Sequence, residues 1–100
     1  MENYDDYYIP QIMSQWVAVT NEYFVILEER PEKRKTSIYH IFSHKSRDEI
    51  GLIKWYGAWR KYCFFPNADT IWDNKCLSSI NSFLEEINIS KRKQKGEKDD

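Results

Sequence analysis

Gly51-Leu52-Ile53-Lys54-Trp55-Tyr56-Gly57-Ala58-Trp59-Arg60-Lys61-Tyr62-Cys63-Phe64-Phe65-Pro66 decides the fold of this chain. Aromatic and β-branched residues on either side of one glycine read as a β-hairpin. With Gly57-Ala58 as a two-residue type II′ turn and glycine at the position of positive φ, Tyr56 faces Trp59 and Trp55 faces Arg60. The same register pairs Ile53 with Tyr62. Because side chains alternate, Gly51, Ile53, Trp55, Arg60, Tyr62 and Phe64 share one face, and Leu52, Lys54, Tyr56, Trp59, Lys61 and Cys63 share the other. The first face carries a single cation beside its aromatics and is expected to lie under a helix. The second carries two lysines and is expected to face water.

Working outward from the hairpin, Pro66-Asn67-Ala68-Asp69 ends the second strand. Asp73 then stands before Cys76, Leu77, Ile80, Phe83, Leu84 and Ile87, whose spacings of three and four predict an amphipathic helix over 74–88 with Asp73 as its N-cap. Upstream, Ser37 to Ser43 alternates Ile38, His40 and Phe42 with Tyr39 and Ile41, a strand with two unequal faces. Tyr23 to Leu27 and Trp16 to Val19 are two further strands about a turn at Thr20-Asn21-Glu22. Glu28 to Thr36 holds seven charged residues and Pro31 and reads as a solvated loop. The fold class is therefore α+β, an antiparallel sheet of four or five strands with one C-terminal amphipathic helix packed on one face. Residues 1–14 are expected to form an acidic, aromatic arm, 15–89 a single domain, and 90–100 a disordered charged tail.

The chain has 100 residues, enough for one core that buries roughly 65% of the surface its unfolded form exposes. Four Trp and seven Tyr, with only three Gly and three Pro, make aromatics a large part of that core. The formal charge of −1 conceals segregation, since Glu2, Asp5 and Asp6 open the chain while Lys33 to Lys35 and Lys91 to Lys95 are basic. The uncharged stretch from Ile9 to Asn21 is too short and too polar to span a bilayer, and the acidic N-terminus does not read as a secretory signal, so no membrane partner and a cytoplasmic location are expected. Cys63 and Cys76 are expected to be free, buried thiols.

Four kinds of site chemistry follow from these residues. A Cys63 nucleophile with His40 or His44 would need an exposed thiol of low pKa, whereas Cys63 stands between Tyr62 and Phe64. His40 and His44, four apart on a strand, would sit roughly 13 Å from one another, too far to share a zinc ion. Asp48 with Glu49 and Glu85 with Glu86 are surface acids with nothing to bury them and shift their pKa. No glycine-rich phosphate loop occurs. A chain with this inventory is expected to have no catalytic residue, metal or cofactor. Binding remains. Tyr56 and Trp59 at the hairpin tip, and Tyr4, Tyr7 and Tyr8 in the arm, are residue types that anchor protein interfaces. Lys33, Arg34, Lys35, Lys54, Arg60 and Lys61, interleaved with aromatics, form the alternative, a sheet that neutralises phosphates and stacks bases.

The pattern Arg34-Lys35-Thr36, Tyr39-x-Ile41, the hairpin Gly51-x-Ile53-x-Trp55-Tyr56-Gly57-x-Trp59-Arg60-x-Tyr62-Cys63-Phe64-Phe65-Pro66, Thr70-x-Trp72 and Cys76-Leu77-x-x-Ile80-x-x-Phe83 resembles a group of small uncharacterised proteins of bacteriophages, prophages and bacteria. The resemblance spans residues 34–84. It implies a mobile-element setting and a compact domain, and implies no catalytic residue. With the surplus of aromatics, it leads to the expectation of a non-catalytic protein that binds and inhibits or modulates a host protein or ribonucleoprotein complex, such as a defence nuclease in the manner of an anti-CRISPR, with nucleic acid as the alternative partner.

Overall fold

The computed structural model describes residues 15–30 and 35–99, with side chains over 19–30 and 35–93. Tyr4, Tyr7, Tyr8, Lys33 and Arg34 lie outside the described residues. Five strands follow one another as β1 (Gln15–Thr20), β2 (Phe24–Glu29), β3 (Ile38–Ser43), β4 (Glu49–Tyr56) and β5 (Lys61–Pro66), and a helix, α1 (Asn74–Asp99), closes the chain. The strands form one antiparallel sheet in the order β1-β2-β3-β4-β5. Each strand thus pairs with its neighbour in sequence, the arrangement that short polar connections favour.

The helix covers the face that the hairpin pattern marks as apolar. Phe24, Ile26, Tyr39, Ile41, Ile53 and Tyr62 from the sheet meet Ile80 and Phe83 from α1 in the main core, with Trp55, Phe64, Trp72, Cys76, Leu84 and Ile87 packed around them. Burying each large apolar side chain contributes about 1.5–3 kcal/mol, so packing rather than helix propensity holds α1 in place. Leu77 departs from expectation and is 46% exposed. At about 100° per residue, the stripe through Ile80, Phe83 and Ile87 leaves Leu77 on its shoulder. Asp73 caps the helix as predicted, accepting the Cys76 N–H at 2.9 Å. That hydrogen bond holds its carboxyl below the usual range.

Two other expectations are corrected. The helix does not stop near Asn88 but continues to Asp99, through the residues expected to be a disordered tail. Lys, Arg, Gln and Glu are good helix formers, and Pro is absent from this stretch. The β4–β5 turn is also wider than predicted. Tyr56 pairs with Lys61, Trp55 with Tyr62 and Ile53 with Phe64, so Gly57, Ala58, Trp59 and Arg60 all lie in the turn. The Tyr56 carbonyl accepts the N–H groups of Trp59 at 3.1 Å and Arg60 at 2.9 Å. Arg60, not Gly57, takes the left-handed conformation, with φ 55°. Four-residue hairpin loops are built this way around an initial helical turn. The shift is by two residues, so it preserves the alternation: Trp55 and Tyr62 still share a face, and Arg60 leaves it.

Close backbone approach explains Gly51. A Cβ there would stand 3.0 Å from the Phe64 ring and 3.1 Å from the Phe65 carbonyl oxygen. At the free edge of β5, Asn88 from α1 accepts the Tyr62 N–H at 2.8 Å and donates its amide to the Tyr62 carbonyl at 3.2 Å. The side-chain amide takes the place of a sixth strand at that residue, and Pro66 removes another edge donor.

Candidate binding surface

The hairpin that supplies core on one side presents aromatics on the other. Trp59 is 66% exposed and Tyr56 38%. Their rings meet edge to face with centroids 5.1 Å apart, and Tyr56 continues to Phe65 at 6.3 Å. The Lys54 ammonium stands 5.0 Å from the Phe65 ring centroid, and Lys61 is exposed on the same side. Trp59, Tyr56 and Phe65 thus form a continuous strip. Edge-to-face pairs contribute about 0.5–1.5 kcal/mol beyond area burial, enough to bias the Trp59 ring toward one orientation. The Trp59 and Arg60 hydrogen bonds to the Tyr56 carbonyl fix the backbone beneath it. A rigid turn therefore carries a large apolar ring into solvent.

Of the cations of the nucleic-acid alternative, the four among the described residues are spread over more than one face. Lys54 and Lys61 flank the aromatic strip, Arg60 stands exposed in the turn, and Lys35 sits beyond the ends of β2 and β3 on the helix side. Trp55, which a two-residue turn would set opposite Arg60, packs edge to face on Tyr62 at 5.4 Å, and Lys91 stands over its ring, 5.8 Å from the centroid. That lysine comes from the helical extension the sequence reading placed in a disordered tail.

On the outer face of β3 the Nε2 of His40 lies 2.8 Å from a Glu29 oxygen and its Nδ1 2.8 Å from a Glu49 oxygen, with the imidazole side chain 13% exposed. A neutral imidazole has one N–H and one lone pair, and a carboxylate only accepts, so two such contacts describe an imidazolium. Burial pulls its pKa down, but hydrogen bonds and charge from Glu29 and Glu49 outweigh this, and the pKa lies above the ordinary value. The clamp ties β2, β3 and β4 together. Both ring nitrogens are engaged there, and His40 is not paired with Cys63, whose Sγ lies 3.9 Å from the Lys61 carbonyl oxygen. Cys63 and Cys76 are free and half-buried, and burial raises the pKa of Cys76. Among the described residues no group of three or more His, Cys, Asp and Glu side chains is arranged to hold a metal ion.

The sequence reading names Tyr56 and Trp59 but not Phe65 as their neighbour, although the alternation that sets Phe64 on the covered face sets Phe65 on the other. It also missed the Glu29–His40–Glu49 clamp. Only the register reveals that clamp, by bringing Glu29 beside Ile38, and Glu49 beside Phe42, one strand on either side of His40.

No helix among the described residues is long and apolar enough to cross a membrane. No family model matches the chain, and no solved structure does. Over 75 residues, 75% of this chain and 95% of the other, it is 28% identical to a protein of Acholeplasma phage L2 known as an uncharacterised 9.3 kDa protein. In sequence the chain is similar to a small phage protein.

Proposed function

We propose that this chain is a small non-catalytic binding protein of phage or mobile-element type. In the host cytoplasm it engages a host protein or ribonucleoprotein complex through the strip Trp59, Tyr56 and Phe65, and inhibits or modulates it. A defence nuclease complex is the class of target that fits a mobile-element setting. The observation that carries the reading is Trp59, 66% exposed on a hydrogen-bonded turn and held against Tyr56. Exposed to water, such a ring contributes little to folding. Desolvated in a partner's pocket it becomes the kind of Trp/Tyr anchor that dominates interface energetics, at low cost in side-chain entropy.

The alternative is direct contact with a single nucleic-acid strand, favoured by Lys54 and Lys61 beside the aromatics. Two features favour the protein partner. Lys54 already covers Phe65, and Tyr56 and Trp59 present edges to each other rather than parallel faces on which successive bases stack. The test compares wild type with Trp59→Ala in affinity capture from host lysate, beside shift assays with fluorescent oligonucleotides at two salt concentrations. A host protein retained by wild type and lost by the variant supports the protein reading. Oligonucleotide binding that weakens steeply with salt and depends on Trp59 replaces it with the alternative.

A further inference from the structure

On the other side of the sheet, where β2 ends and β3 begins and the C-terminal half of α1 passes over Tyr62, lies an open cleft of about 420 Å³. Its volume is in the range of small-ligand sites, about 300–1,000 Å³, and its walls are charged. Arg30, Lys35 and Lys91 reach it from three segments, and among the described residues that line it Glu28 is the only acid. That acid is already engaged. One Glu28 oxygen accepts Nε of Arg30 at 2.9 Å and the Ser37 hydroxyl at 2.7 Å. The Arg30 guanidinium keeps four further N–H donors. Lys91 is fixed rather than sweeping through solvent: its ammonium donates to the Lys35 carbonyl at 3.1 Å and stands over the Trp55 ring. The Ser37 N–H donates to the Tyr62 hydroxyl at 3.2 Å, which sets that hydroxyl in the wall as a further polar group.

Three cations around one neutralised acid leave an excess of two positive charges that no described side chain balances. A phosphate monoester carries about −1.5 to −2 charge at neutral pH and accepts several hydrogen bonds, which matches both the excess and the donors. We propose that this cleft binds the phosphate group of a small phosphorylated molecule, held by Arg30, Lys35 and Lys91. The site is on the helix side of the sheet, opposite the aromatic strip, and does not depend on the strip's role.

The test is a two-dimensional amide NMR titration of the full chain at constant ionic strength, with sodium chloride as the balancing salt. The probes are inorganic phosphate, a nucleoside monophosphate and the same nucleoside without phosphate. The proposal predicts saturable shifts at the amides of 35–37, Tyr62 and 88–91 with both phosphate-bearing probes and none with the nucleoside. Lys91→Gln and Arg30→Gln each weaken the response by about tenfold, near 1.4 kcal/mol, while Lys45→Gln, exposed in the turn between β3 and β4, leaves it unchanged. The spectra themselves report whether each variant is folded. Absence of saturable shifts, equal shifts with the nucleoside, or shifts that survive both Lys91→Gln and Arg30→Gln in folded protein would overturn it.

Discussion

The two faces of the β4–β5 hairpin are drawn from the same kind of residues and have opposite fates. On the helix side Trp55, Tyr62 and Phe64 join the core beneath α1, where Tyr62 also touches Tyr39 at 5.7 Å and Phe64 touches Trp72 at 4.8 Å. On the outer side Tyr56, Phe65 and the adjoining Trp59 touch one another, and Trp59 and Tyr56 remain exposed. Aromatic content therefore does not distinguish the core from the exposed strip here. What distinguishes them is parity along the strand together with the single helix, which can cover only one face.

Substitution of the two hairpin tryptophans should break the comparison most visibly. Trp55→Ala removes the ring between Tyr62 and Lys91 and should lower unfolding free energy by about 3 kcal/mol, whereas Trp59→Ala should cost about 1 kcal/mol or less. Denaturant unfolding of both variants checks this, and equal losses would place Trp59 in the core. Gly51→Ala should follow, at about 1–3 kcal/mol, because the new methyl meets the Phe64 ring and the Phe65 carbonyl at distances where the neighbours must shift. Thermal unfolding checks it, and restored stability on pairing with Phe64→Leu would identify the ring as the obstacle.

The outer face holds a stabilising polar device in the Glu29–His40–Glu49 clamp, and pH exposes it. The folded pKa of His40 is raised, so the clamp's contribution is complete below the unfolded value near 6.5 and is lost as pH rises through the folded value. His40→Gln should therefore cost about 1–3 kcal/mol at acid pH and progressively less as pH rises past the folded pKa. Stability measured across that range for both proteins tests it, and a pH-independent difference would refute the imidazolium assignment. The smallest effect belongs to the turn. Arg60 pays for a left-handed φ of 55° that glycine adopts without strain, so Arg60→Gly should raise stability by about 0.5–1 kcal/mol, measured as a shift of the denaturant midpoint.

Much of this was legible in the chain itself. The alternation in 51–66 and the three- and four-residue spacing from Cys76 to Ile87 named the strands, the helix and the covered face, because burial of one face is what such patterns record. The exact turn was not legible. Gly57 advertises positive φ, yet the four-residue loop places that strain on Arg60, since tertiary register and not the local dipeptide decided the pairing. The tail was misread because a charged sequence without apolar residues can still extend an existing helix, for which no new nucleation is needed. The polar features were hidden for another reason. The His40 clamp and the Arg30–Lys35–Lys91 cleft each join segments distant in sequence, and no spacing rule along one strand reveals them.

The most direct test of the claim that one hairpin face is core and the other a binding surface is quantitative affinity capture from host lysate. It compares wild type with Trp59→Ala after their stabilities have been shown to match. Specific proteins enriched by wild type and lost with the variant are the predicted result. Identical recovered sets from the two proteins would contradict it.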